Sequence, residues 1–220
     1  MCFSAQADLV GGVVVGALGI DALRHVRRPR ELAIASLPLL LGLHQLIEAF
    51  VWWGLEGHVS QGVGNTAMWI YLIIAFVVLP VYVPLAVIAI EPVVDRRQQM
   101  IPFAVAGAGV SVVLFSVMLR GPVTAELAGL HIAYGIGLPY STAIVGLYVL
   151  ATCGSLLASS YPAFRIFGAV NLCVVCLLAW FQKNGFASLW CAWAAVASGA
   201  IVAYLRLRTS RAPQATTIPA

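Results

Sequence analysis

The stretch LLGLHQLIEAFVWWG, Leu40 to Gly54, places a histidine, a glutamine and a glutamate inside a run of leucine, isoleucine, valine and tryptophan. With the apolar residues before it, the run reaches the roughly 20 residues a helix needs to cross a hydrocarbon core. An ionised side chain at the bilayer centre costs at least about 2.5–3.5 kcal/mol on insertion scales, so polar groups there face a bundle interior or a water-filled cavity. His44 and Glu48 are four apart and share one helix face, with Leu41 and Trp52 continuing the stripe and Gln45 beside it.

The rest of the chain has the same character. Of its 220 residues, 62% are hydrophobic and 9% charged, against roughly a quarter charged in a soluble domain. Apolar runs separated by polar punctuation predict seven spans near 5–24, 31–54, 66–90, 100–119, 138–159, 163–181 and 186–206. They form one bundle over 1–208, followed by a disordered tail over 209–220 rich in Pro, Thr and Ala. The fifth and sixth spans are divided at Ser159-Ser-Tyr-Pro162, a turn signal. Met1 to Asp8 has no basic region ahead of the first apolar run, which argues for an uncleaved first span.

Charge orients this layout. Ten of the twelve basic residues fall after the first, third, fifth and seventh spans, leaving Arg120 and Lys183 on the other side. The positive-inside rule then places the N-terminus outside and the C-terminus in the cytoplasm. The excess of +4 reflects topology, and no basic stripe with interleaved aromatics points to nucleic acid. Lys183, the only lysine, lies in an outer loop, which removes a retinal-type pigment.

Three readings compete for the face of His44 and Glu48. It is a satisfied buried network reaching groups such as Asn171 in the sixth span, an outward-facing site for a ligand, ion or proton, or a site for a single transition metal. His-x-x-x-Glu supplies only two metal ligands. The connection from Gly121 to Gly137 is too apolar to dangle in water, so it either lies in the interface as a helix or folds back as a lid carrying His131 towards Glu48. Gly12 and Gly16 have the spacing of close helix packing, within the chain or between copies, and Pro80 and Pro84 favour a kink in the third span. Cys173 and Cys176 read as packing residues of an apolar span, with redox or metal use as the alternative. Cys2 and Cys191 both fall near the outer surface, where a disulfide is permitted; two separate buried thiols and thiolate ligation of a metal are the alternatives.

Met1-Cys-Phe-Ser-Ala5, Arg27-Arg-Pro-Arg-Glu31, Gln45-Leu-Ile-Glu48 with Val51-Trp52, and Ser188-Leu-Trp-Cys-Ala-Trp-Ala-Ala195 resemble a family of small bacterial multi-pass membrane proteins of unknown function. The resemblance covers most of the chain and implies the cytoplasmic membrane, but no reaction. It links the N-terminal Cys-Phe-Ser to the Leu-Trp-Cys of the last span, which suits the bridge or a shared site. Its pattern more often has glutamine at the position of His44, which implies that Glu48 is the shared group and weakens a metal site. Three functions follow: a transporter or sensor for a small ligand or ion centred on Glu48; a metal-assisted intramembrane enzyme using His44, Glu48 and His131 on a lipid-like substrate; or an accessory subunit whose polar face holds a bundle together.

Overall fold

A computed structural model describes residues 4–129, 131–138, 141–181, 196–203 and 206. Helix α1 runs Ala5–Arg24, and its first turn is capped by Ser4, whose Oγ accepts from the Ala7 N–H at 3.2 Å. A short 3-10 turn, Pro29–Glu31, enters α2, Leu32–Leu55. There the Glu31 carboxylate accepts the backbone N–H groups of Arg27 and Arg28 at 3.0 and 3.4 Å, fastening the turn. Helix α3 (Gln61–Ile73), a wider turn (Ile74–Val78) and α4 (Leu79–Ile90) form one continuous rod. Then follow α5 (Val94–Arg120), a hairpin of β1 (Thr124–Leu127) and β2 (Ile132–Gly135), α6 (Ser141–Leu157) and α7 (Pro162–Phe181). Residues 196–203 are helical.

Four stretches are long and apolar enough to cross a membrane: Ala5–Arg24, Pro29–Leu55, Gln61–Ile90 and Val94–Arg120. Their burial is inverted relative to a soluble protein. Val10, Val13, Val105, Val112 and Leu119 are exposed, while Asp8 and Glu48 are fully buried. Two helices begin before the apolar runs that predicted them. Ser60 caps α3 by accepting from the Val63 N–H at 3.4 Å, and α5 includes the polar turn Val94 to Gln99. Caps set a helix end, whereas hydropathy sets only the part that suits lipid. The chain breaks between α6 and α7 at 158–161, and the predicted seventh span lies mostly outside the described residues.

Glycines let α1 and α2 approach closely. A Cβ added to Gly42 would sit 2.5 Å from the Gly16 nitrogen, and one on Gly12 would sit 2.9 Å from the Gly42 oxygen. Gly19 lies in the same way against Leu39. The small-residue spacing therefore serves packing within the chain.

Pro80 and Pro84 lie inside the rod without ending it. Each lacks the N–H that would bond the carbonyl four residues earlier, and the wider turn Ile74–Val78 also rearranges the ladder. Neighbouring helices meet the altered backbone. The Tyr148 hydroxyl donates to the Ala75 carbonyl at 2.9 Å, and Ser111 Oγ donates to the Val77 carbonyl at 2.8 Å. Gly107 of α5 lies so close to the Pro80 oxygen that a Cβ there would be only 2.0 Å away. Side chains of neighbouring helices thus satisfy backbone polarity in the middle of the rod.

One end of the bundle carries the arginine-rich turns. Glu91, between α4 and α5, accepts from Ser159 Oγ at 3.1 Å, the Ser160 N–H at 2.8 Å and the Val93 N–H at 3.3 Å. Arg97 donates to the Glu91 carbonyl at 2.6 Å and Arg96 to the Ala158 carbonyl at 3.1 Å, tying two interhelical turns together. Burial pushes the Glu91 carboxyl up, but the donors from Ser160, Val93 and Ser159 outweigh it and hold it below its ordinary value. Arg206 Nε meets Asp21 Oδ2 at 2.8 Å, tying the last helical segment to the end of α1.

At the other end, the connection after α5 is an antiparallel hairpin, not the interfacial helix that its composition allowed. Thr124 pairs with Gly135, Ala125 with Tyr134, Glu126 with Ala133 and Leu127 with Ile132. The β-branched and aromatic side chains favour strands, and Gly129 takes a positive φ of 66° in the turn. Ile132 and Ile136 pack with Trp52, Tyr71 and Met118, so the hairpin folds back onto the bundle.

Candidate functional site

Under the hairpin, α2 presents His44, Gln45, Glu48 and Trp52, with exposures of 4%, 1%, 0% and 4%. His44 Nε2 lies 3.1 Å from the Tyr71 carbonyl. A carbonyl only accepts, so Nε2 carries the proton. The imidazole stacks on the Tyr71 ring with centroids 4.0 Å apart, and Tyr71 stacks on Tyr134 at 4.8 Å. From β2, the Tyr134 hydroxyl donates to Glu48 Oε1 at 3.3 Å. Three rings from α2, α3 and the hairpin thus form a column, and its last member closes over the carboxylate.

Asp8 of α1 is fully buried. The antiparallel contacts of Gly12 with Gly42 and Leu46, and of Gly19 with Leu39, set the register. Carried one turn towards the hairpin, that register brings Asp8 level with Ala49 and Phe50. The buried indole Nε1 of Trp52 and the buried Nε2 of His131, both towards the hairpin end, have no hydrogen-bond partner among the described residues.

The other expected site residues separate from this cluster. His131 belongs to the hairpin turn, and Tyr134, three residues further on, supplies the bond to Glu48. Asn171 donates to Cys153 Sγ at 3.2 Å and lines a cavity of about 80 Å³ with Leu41, Tyr148 and Thr152. That cavity is mostly apolar and lies further along α2, towards the arginine-rich end. Cys153, Cys173 and Cys176 are unbridged thiols. Cys2 and Cys191 lie outside the described residues, so the bridge expected between them does too. Among the described residues no three His, Cys, Asp or Glu side chains come together as metal ligands, and the His44 nitrogen nearest the rod is already committed to a carbonyl.

Tyr71 and Glu91 were not among the residues singled out from sequence. Tyr71 is one aromatic in an apolar span, with nothing local to mark it. Glu91 did carry a signal, an acid immediately before Pro92 at a helix end.

Fold and cluster together define a mostly helical protein with several helices of membrane-spanning length and a buried polar group closed over by a hairpin. Residues 1–217 match a family of unknown function (DUF6629), and the chain belongs to it. No curated protein and no solved structure matches the chain.

Proposed function

We propose that the chain crosses a bacterial cytoplasmic membrane seven times with its N-terminus outside, and that it binds a small ligand or ion at Glu48 as a transporter or sensor. The alternation of arginine-rich turns supports the orientation, and the outward apolar belt supports the membrane. The bond from Tyr134 to Glu48 carries the functional reading. It couples a buried carboxylate to a separate surface element whose displacement would open the site from outside. A proton or cation reaching Glu48 competes with Tyr134 for the same oxygen, so occupancy and opening are linked.

A metal-assisted enzyme has weaker support, because His44, Glu48 and His131 do not converge. An accessory subunit is separated by experiment. The purified protein is melted in detergent against sodium, potassium and small alkylammonium ions, alongside Glu48→Gln. At least one cation should raise the wild-type melting temperature and leave Glu48→Gln unmoved. No shift with any of them overturns the reading. If Glu48→Gln does not fold, Tyr134→Phe replaces it, and an altered cation response is expected there.

A further inference from the structure

The cavity beside Asn171 is independent of the Glu48 site and rests only on the membrane placement proposed above. We infer that it takes a linear hydrocarbon chain, the acyl tail of a membrane lipid, laid parallel to the helices inside the bundle.

The walls give the shape. Ile34, Leu37 and Leu41 of α2 line the cavity together with Tyr148, Thr152 and Leu156 of α6. Each set forms one stripe along its helix, so the cavity runs with the axes for about 10–12 Å at 1.5 Å per residue. Leu79 of α4, Phe167 of α7 and Ala197 of the last helical segment line the remaining sides. A volume of about 80 Å³ over that length is slender, suited to an extended chain and too narrow for a fused ring system. The chemistry points the same way. Each of the three polar side chains in the wall already donates to the protein: the Tyr148 hydroxyl to the Ala75 carbonyl at 2.9 Å, Thr152 Oγ1 to the Tyr148 carbonyl at 3.1 Å, and Asn171 Nδ2 to Cys153 Sγ at 3.2 Å. A water held in a cavity needs two to four polar partners, and apolar cavities stay dry and take apolar guests. An unfilled void forfeits the dispersion contacts of its lining. The cavity is partly open to the surface, and in a bundle surrounded by lipid the group at hand to restore those contacts is a hydrocarbon chain.

Two photoactivatable probes test this with the full chain in phosphatidylcholine nanodiscs. One carries a diazirine in the middle of a linear acyl chain of a phospholipid, the other carries it on a sterol, and labelled residues are mapped by peptide mass spectrometry. Leu37, Leu79 and Thr152 are buried and report the cavity, while Val105 and Val112 are exposed on the apolar belt and report bulk lipid. The linear probe should label both sets, with a cavity-to-belt ratio several-fold above that of the sterol. Ala197→Phe, which fills the cavity, should lower that ratio several-fold and leave belt labelling unchanged. Where Ala197→Phe does not fold, the comparison of the two probes on the wild type decides alone. Belt labelling with a silent cavity overturns the inference and leaves the membrane placement standing. Equal ratios for chain and sterol overturn the assignment to a linear chain. Labelling of neither set overturns the membrane placement and the inference with it.

Discussion

Glu48 and Glu91 are both fully buried acids, but their settings differ. Glu91 sits on a turn and is saturated by donors, so its role is to join α4 and α5 to the α6–α7 turn. Its folded-state carboxyl is held below the ordinary value, so its contribution to stability is present at neutral pH and lost as pH falls through the ordinary carboxylate range towards the folded value. Glu91→Ala should therefore destabilise the protein at pH 7 by about 1–3 kcal/mol, because buried donors lose their acceptor. Melting curves from pH 7 down to pH 3 should show the gap to wild type closing with acid. Glu48 instead accepts a hydrogen bond from Tyr134 of the hairpin. Tyr134→Phe keeps the ring stack and removes one hydroxyl, and should cost about 1 kcal/mol of local stability, seen as faster amide exchange in 124–135 rather than as a lower global melting temperature.

Among the elements, the crossing of α1 and α2 depends on the absence of side chains. Gly42→Ala would press a methyl against the backbone of Gly16, and should cost about 1–3 kcal/mol as the helices part. Gly62→Ala, with open space around its Cβ position, is the control. Thermal melting of the two variants reads the difference. The spacing of Gly12 and Gly16 announced a close contact in the sequence, but the glycine opposite, Gly42, was hidden inside the stretch read for its polar residues. The hairpin was harder to foresee. Ala125 to Ala128 and Ile132 to Tyr134 are too short for periodicity to separate strand from helix, and their pairing depends on a turn at Gly129. The α6–α7 break was readable because proline and serine mark it locally. The rod through Pro80 and Pro84 was read as one span over 66–90, but the groups that meet its altered backbone, Tyr148, Ser111 and Gly107, lie on other helices.

At the scale of the whole molecule, the described residues bury Asp8, His44, Gln45 and Glu48 and turn an apolar belt outward, and composition made the membrane character legible. The sequence also placed His44, Gln45 and Glu48 on a common buried face, since four-residue spacing on a helix leaves little choice. The tertiary partners were beyond it. Tyr71 and Tyr134 come from elements 27 and 86 positions away from their partners His44 and Glu48, and nothing local encodes such contacts. Asn171, expected with Glu48, instead bonds Cys153 beside the apolar cavity. The most direct test of a Glu48 site gated by the hairpin is hydrogen–deuterium exchange of the protein in nanodiscs, comparing wild type with Glu48→Gln. The expected result is a several-fold rise in exchange confined to 124–135, with α1, α2 and α5 as protected as before. Unchanged exchange in the hairpin, or loss of protection throughout the bundle, would contradict it, the latter marking Glu48 as a structural strut.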